Sequence, residues 1–375
     1  MKKKFDLHKF YYDWWKSVDK LILLLIIFLF SLGLFFSLVS TSLIASDKLN
    51  TNSYHFFLKH LIFILISLAI FIFFSSLEKT KLIKICIFLF FLSFIALLMV
   101  PIFGTEVKGS RRWIDIGTLP RFQPIEILKP FFIVLVAVIL SSNYLSKIYA
   151  KYLLSFIVAL PVILLLINQP DIGQTTLIVL TWFSLIFVSG INLFIFFYFF
   201  TIIGIFLSYL VLFVPKFFYI KKRILSFIDP NTGNNYQPER ASEAIINGGF
   251  FGRGLGEGKL NSKIPEAHTD YIVSVISEEF GIILVILIMF VYLFLAFTIA
   301  KKIDDENDNL VKLILTGSIS ILLIQTYIHF GVNIRILPTT GMTLPFISYG
   351  GSSIVGTAML SGIILNLTKR TVSNL

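Results

Sequence analysis

The chain has 375 residues, of which 57% are hydrophobic and 14% charged, with 41 phenylalanines and a single cysteine, Cys86. This composition excludes a water-soluble enzyme, a disordered chain and a disulfide-stapled domain, and one cysteine cannot build a thiolate zinc site. The net charge of +11 would indicate nucleic acid in a soluble protein. In so apolar a chain it indicates membrane lipids or an anionic ligand, and no nucleic-acid partner is predicted.

Ten apolar runs, each long enough for a membrane-spanning helix, follow one another along the chain. They cover residues 21–45, 56–77, 82–103, 125–142, 152–168, 172–190, 192–215, 271–300, 310–332 and 343–367. Because lipid offers the backbone no hydrogen-bond partner, such runs are expected to be helices, and the alternation of barrel strands is not found. The predicted fold class is all-α: a polytopic membrane protein with ten transmembrane helices in a single integral membrane domain, residues 1–375.

The distribution of Lys and Arg predicts the orientation. Residues 1–20 are basic and aromatic, and no signal-peptide cleavage pattern follows, so they are interpreted as a cytoplasmic segment before a retained first span. The short basic segments favour an N-in, C-in topology. Two groups of cations then lie outside: Lys108, Arg111, Arg112 and Arg121 in one loop, and eight between Lys216 and Lys263. Lys and Arg are usually more frequent on the cytoplasmic side, so these outer cations indicate a phosphate-bearing substrate at the outer leaflet.

One long connection, residues 216–269, is predicted to be a large extracytoplasmic loop between helices 7 and 8. Loops of this length are uncommon unless they are functional or disordered, so it is the candidate active region. Six glycines fall between Gly248 and Gly258. No strand precedes them and no Gly-Lys-Ser/Thr follows, so they are interpreted as flexible turns close to the membrane and not as a nucleotide-binding loop.

Asp270 ends this connection in the stretch PEAHTDYIVSVISEEFG and precedes an apolar helix. Asp is a common helix N-cap at such a position. The alternative is a general base at the depth where lipid headgroups meet water. The residues alone leave both open. Ser274, Ser277 and Glu278 follow at helical spacing and extend a polar stripe from Asp270 along one helix face.

Arg111, Arg112 and Lys129 are the candidate phosphate ligands, since Arg offers a planar fork of donors and Lys a mobile point charge. Lys129 also lies three residues after Glu126. A buried intrahelical ion pair between them is therefore as well supported as a phosphate-binding role for Lys129. An ionisable side chain inside a membrane is expensive, which keeps a functional role for Lys129 open.

Three further features are interpreted as structural. Asp171 precedes Gln174 by three residues, which predicts a capping box at the start of the sixth helix. His268 and His329 are isolated in the sequence and are interpreted as hydrogen-bonded groups, with metal ligation or proton transfer as the alternative. The stretch LPTTGMTLPFISYGGSS, residues 337–353, predicts a broken helix that faces protein or a cavity.

Five motifs in this order, GSRRWIDIG, QPIEILKP, QPDIG, PEAHTDYIVSVISEEFG and LPFISYGGSS, resemble those of the SEDS family of bacterial cell-shape and division proteins. The resemblance runs from about Trp14 to Arg370. The stretch LPTTGMTLPFISYGGSS and the WWKSVDK opening are more similar to the division branch of the family than to its elongation branch. Ile125, Tyr271 and the pair Arg240-Ala241 depart from the family pattern, which leaves the finer glycan contacts open.

The resemblance implies a peptidoglycan glycosyltransferase of the cytoplasmic membrane. Such an enzyme polymerises lipid II, a disaccharide-pentapeptide on undecaprenyl diphosphate, at the outer face of the membrane, here during septal synthesis. The family's essential acid falls on Asp270, its functional loop arginine on Arg112 and its helix-four lysine on Lys129. The substrate contacts expected around the acid are Arg111, Arg112, Lys129, Glu126, His268 and Ser274.

The resemblance also implies partners: a class B penicillin-binding protein transpeptidase, other division proteins and membrane lipids. No cofactor is predicted, with a divalent cation (Mg²⁺ or Mn²⁺) as the alternative and its ligands unknown. Three other functions stay open from the sequence: a carrier that moves lipid II across the bilayer, an elongation-type polymerase, and a scaffold that only recruits partners.

Overall fold

Helices make up most of the computed structural model, which describes residues 7–48, 54–107, 110–115, 117, 120–144, 147–229, 236–258 and 267–369. The helices within these residues are α1 Leu7–Ser17, α2 Lys20–Lys48, α3 His55–Ser76, α4 Lys79–Phe103, α5 Pro124–Ser141, α6 Ile148–Asn168, α7 Ile172–Val188, α8 Leu193–Phe213, α9 Phe218–Ile228, α10 Tyr236–Gly248, α11 Ile272–Phe280, α12 Ile282–Asp305, α13 Asn309–Asn333 and α14 Gly351–Leu367. A hairpin of strands β1 Thr105–Val107 and β2 Ser110–Trp113 follows α4. The all-α prediction is confirmed apart from this hairpin.

Eight helices of the described residues are long and apolar enough to cross a membrane. They are α2, α3, α4, α5, α6, α8, α12 and α13. The chain is therefore a multi-pass membrane protein. Two shorter apolar helices, α7 and α14, occupy the sixth and tenth predicted runs. The number of ten crossings stays a prediction.

Helices α5, α7, α13 and α14 form the interior of the bundle. Nearly every residue of α5 is buried, whereas α8 has no buried residue. Close approach between these helices depends on glycines, as is typical of membrane bundles. A Cβ at Gly356 of α14 would lie 2.2 Å from the carbonyl oxygen of Glu126 on α5. A Cβ at Gly33 of α2 would lie 2.1 Å from the carbonyl oxygen of Phe346.

Three predicted elements differ in the structure. The eighth apolar run, residues 271–300, is not one helix, because α11 ends at Phe280 and α12 begins at Ile282. The tenth run, residues 343–367, is helical only from Gly351. The long connection 216–269 contains helices α9 and α10, whose apolar and polar residues are arranged on opposite faces.

The glycine-rich segment is packed against the break between α11 and α12. Gly281, at the break, has φ +84°, and a Cβ there would lie 2.1 Å from the carbonyl oxygen of Phe250. The backbone N–H groups of Arg253 and Gly254 donate to the carbonyls of Glu278 and Glu279, at 2.9 and 3.0 Å. The segment thus gives partners to backbone groups that a helix break leaves unpaired. The predicted turns are present, and Gly248 and Gly252 also permit close contact with the backbone of α11.

We expect Gly281→Ala to destabilise the protein much more than Gly256→Ala. Both glycines have positive φ, +84° and +78°, so both variants carry the backbone strain, about 1–2 kcal/mol. Only at Gly281 would the new Cβ meet backbone, because nothing lies within 4 Å of the corresponding position at Gly256. Thermal unfolding of the detergent-solubilised variants measures the difference. Equal melting temperatures would contradict the close packing described above.

Candidate active site

Asp270 lies in the turn that precedes α11. That helix begins at Ile272 with Tyr271 at its N-cap position and no side-chain cap, so the N-cap alternative for Asp270 is wrong. The side chain is partly exposed. A Cβ at Gly341, an exposed glycine with φ +71°, would lie 3.5 Å from Oδ2 of Asp270. The carboxyl group therefore faces the loop before α14 at a point where solvent and ligands have access.

Three successive carbonyl groups of the His-Thr-Asp turn accept hydrogen bonds from other segments. The backbone N–H of Tyr349 donates to His268 at 3.0 Å, and the hydroxyl of Ser348 donates to Thr269 at 2.7 Å. The amide Nδ2 of Asn333 donates to the carbonyl of Asp270 at 3.1 Å. The backbone that carries the carboxyl group is thus fixed by three long-range contacts.

Asn333 links this turn to the predicted Ser274. Its Oδ1 accepts from the hydroxyl of Ser274 at 2.9 Å and from the backbone N–H of the same residue at 3.2 Å. Ser274, Ser277 and Glu278 are all fully buried, so the predicted polar stripe exists and faces the protein interior. In this structure Ser274 holds the start of α11 and does not line open space.

His268 lies among aromatic rings. Its ring centroid is 5.7 Å from that of Phe56 and 5.5 Å from that of Tyr349. His329, on α13, pairs through Nδ1 with the carbonyl of Met342 at 2.7 Å, which confirms the hydrogen-bonded interpretation for this residue. Among the described residues no three His, Cys, Asp or Glu side chains group closely enough to hold a metal ion.

Arg112 anchors β2 to the turn between α6 and α7. Its Nε donates to the carbonyl of Gln169 at 3.1 Å, its NH2 donates to the carbonyl of Pro170, and its NH1 lies 3.6 Å from Oδ2 of Asp171. The side chain is 16% exposed. Arg111 points the other way and lies 3.6 Å from Glu106 across the exposed hairpin. The two adjacent arginines therefore do not converge on one point.

Asp171 caps α7, as predicted, by accepting from the backbone N–H of Gln174. Only half of the capping box forms, because the side chain of Gln174 donates instead to Glu126 at 2.5 Å. The second oxygen of Asp171 accepts from Gln123 at 3.0 Å.

Lys129 and Glu126 form the buried ion pair that their spacing allows, with Nζ and Oε2 2.7 Å apart. Lys129 also donates to Gln325 of α13 at 3.0 Å, and Gln325 in turn donates to the carbonyl of Thr343 at 2.9 Å. This chain of contacts reaches the loop that faces Asp270. The charge of Lys129 is therefore balanced inside the bundle and acts on the site through its neighbours.

The sequence did not single out Asn333, Gln325, Tyr349 or Arg223, although all four contact the site. Asn333 and Gln325 lie on an apolar helix where nothing in the local pattern marks them. Arg223, on α9, was counted among the outer cations, and its NH1 donates to the carbonyl of Thr339 at 3.4 Å. In the structure Arg223 is partly buried while Lys222 is exposed. The run KKR does not show which of its cations will face the protein.

We expect Lys129→Met to lower the free energy of unfolding by about 3–5 kcal/mol, because Glu126 would remain buried without its charged partner. The double variant Glu126→Gln/Lys129→Met should recover most of this loss, since no unpaired charge remains. Thermal and denaturant unfolding in detergent measure both. A single variant as stable as the unaltered protein would contradict a structural ion pair.

Comparison with known proteins gives one family and several relatives. The family model for cell cycle proteins of the FtsW/RodA/SpoVE group matches residues 19–373. A Coxiella burnetii protein named probable peptidoglycan glycosyltransferase FtsW is 32% identical over 371 residues, with 95% of this chain and 97% of that protein covered. Stage V sporulation protein E of Bacillus subtilis is 32% identical, with 94% and 97% covered.

Two solved structures share the fold. A chain from a peptidoglycan synthase complex superposes with a TM-score of 0.76 at 24% identity, covering 94% of this chain and 97% of that chain. Thermus thermophilus rod shape determining protein RodA superposes with a TM-score of 0.70 at 24% identity and the same coverage. At this level of identity the structures show a common fold, which agrees with the helical membrane bundle described above.

Proposed function

We propose that this chain, which belongs to the FtsW/RodA/SpoVE family of cell cycle proteins, is a peptidoglycan glycosyltransferase that polymerises lipid II. Relatives with that activity in their names match nearly the whole chain in both directions. The observation that carries the proposal for the site is Asp270, a partly exposed carboxyl group on a turn fixed by three hydrogen bonds and facing the exposed Gly341. A fixed base beside an accessible space is what glycosyl transfer requires.

In the proposed reaction Asp270 takes the proton of the acceptor 4-hydroxyl as its oxygen attacks C1 of the donor sugar. The new O4–C1 bond forms while the bond from C1 to the diphosphate oxygen breaks, and undecaprenyl diphosphate leaves with that electron pair. A single attack inverts the α-linked donor to a β-linked polymer. The energy is already stored in the lipid-linked donor, so the reaction needs no nucleotide.

The cations around the turn would stabilise the charge that grows on the leaving group. Arg112 already donates to two backbone carbonyls and Lys129 is paired with Glu126 and Gln325, so their proposed contribution is the positive field they add to the site. Glu126 holds Lys129, and Ser274 holds the Asp270 turn through Asn333. Arg111 and His268 are proposed to contact the substrate from the hairpin and from the aromatic cluster.

Ion pairs between helix ends support the proposed topology. Lys79 at the start of α4 lies 2.5 Å from Asp308 at the start of α13, and Lys302 near the end of α12 lies 2.9 Å from Asp19 at the start of α2. Both pairs join helix ends that lie next to basic segments, and the positive-inside rule predicts that these ends are cytoplasmic. Asn333, which donates to the carbonyl of Asp270, lies at the end of α13, opposite to the end that carries Asp308. We therefore place Asp270 and residues 216–269 at the outer face of the cytoplasmic membrane.

The proposed setting is septal cell-wall synthesis. Several relatives carry the name FtsW, and one structural neighbour belongs to a complex in which polymerisation and crosslinking are coordinated. We propose a class B penicillin-binding protein as the crosslinking partner, together with other division proteins and the surrounding lipids.

We expect Asp270→Asn to lower the rate of lipid II polymerisation by about 100-fold or more, because the amide cannot accept the hydroxyl proton. Asp115→Asn is the matched control: it changes an outer carboxylate that pairs with Arg121 at 3.0 Å on the hairpin side. The rate is measured with the full chain and its transpeptidase partner in liposomes, by gel separation of the glycan products. Unchanged polymerisation by Asp270→Asn would overturn the proposal, and lipid II flipping without any polymer would favour the carrier.

A further inference from the structure

The face of α9 that turns toward the bundle carries Tyr219 and Arg223, one helical turn apart. Both side chains are partly buried, while Ile224, Leu225 and Ile228 of the same helix are exposed. A guanidinium has five N–H donors. Within the described part of the chain, the side chain of Arg223 makes one hydrogen bond, from NH1 to the carbonyl of Thr339 at 3.4 Å. Arg223 thus keeps donors available for a ligand.

A second guanidinium, that of Arg112, acts on Arg223. Arg223 lies within electrostatic range of Arg112 and of Asp171, and that carboxylate is already shared with Arg112 and Gln123. Burial, and then the positive charge of Arg112, lower the pKa of Arg223 below its usual value. Two guanidinium groups close together in a partly desolvated place favour the binding of an anion.

Arg223 and Asp270 face the same short loop. Arg223 contacts Thr339, and Asp270 faces Gly341, two residues further along the same loop. The Cα atoms of Thr339 and Gly341 lie at most about 7 Å apart, because two residues of extended chain reach no further. Between them lies Thr340, whose buried hydroxyl has no hydrogen-bond partner among the described residues.

We propose that Arg223, assisted by the hydroxyls of Tyr219 and Thr340, binds the diphosphate of the lipid-linked donor. The inference rests on the proposed function and names the residue that touches the leaving group. When the bond between C1 and the diphosphate oxygen breaks, that oxygen keeps the electron pair and the diphosphate gains one negative charge. The planar fork of Arg223 then makes stronger hydrogen bonds to it than in the ground state, and the proton from the acceptor goes to Asp270.

Kinetics of polymerisation test the role in the reaction, with the full chain and its partner in liposomes. We expect Arg223→Gln to lower kcat by about 10- to 100-fold, and Arg223→Lys to give an intermediate loss because it keeps the charge but not the fork. Lys222→Gln removes a neighbouring exposed cation of the same helix and should stay within about twofold. Equal losses in Arg223→Gln and Lys222→Gln would overturn the proposal.

A binding assay separates this inference from the proposed function. Fluorescence titration with polyprenyl diphosphate and with polyprenyl monophosphate needs no turnover. We expect the unaltered protein to prefer the diphosphate, and Arg223→Gln to lose at least about 10-fold in diphosphate affinity at an unchanged melting temperature. If Arg223→Gln does not fold, Arg223→Lys is titrated in its place. We expect Arg223→Lys to lose the preference for diphosphate over monophosphate.

The outcomes are distinct. Diphosphate affinity that is the same in the unaltered protein and in the variants overturns the role of Arg223, even if the chain polymerises lipid II. Arg223-dependent diphosphate binding by a protein that forms no glycan supports the site and overturns the polymerase.

Discussion

Backbone groups released where helices break must find new hydrogen-bond partners, and the candidate site is built around that constraint. The turn 267–271 and the loop 334–350 are both non-helical, and each supplies partners to the other. The three carbonyls of His268, Thr269 and Asp270 are bonded by residues distant in the sequence. These hydrogen bonds fix the backbone of the turn and thereby the position of the Asp270 carboxyl group.

The same constraint explains the glycine-rich segment. The break at Gly281 leaves the last carbonyls of α11 without helical partners, and the N–H groups of Arg253 and Gly254 bind two of them. A side chain at Gly248 or Gly252 would collide with that backbone. The helix α10 and its following turns are thereby attached to the end of α11, the helix that follows Asp270.

The ionisable groups divide into those balanced within the bundle and those that face the site. Glu126 and Lys129 satisfy each other, and Arg112 is held by two carbonyls and Asp171. Buried pairs of this kind cost desolvation, but removal of one partner costs more, so they fix the packing of α5 and α7. Asp270 and Arg223 are partly buried, and both face the loop that contains Thr339 and Gly341.

The sequence alone determined the helical membrane class, the order of the apolar runs, the broken stretch 337–353 and the spacing that pairs Glu126 with Lys129, because these follow from composition and local periodicity. It also marked Asp270, with two roles left open. Only the tertiary structure decided that the run 271–300 breaks at Gly281, that Arg112 is held by backbone carbonyls, and that Asn333 and Arg223 reach the site. These features depend on which distant segments supply hydrogen bonds and charge to one another. The local sequence pattern does not show which segments will meet in the folded chain.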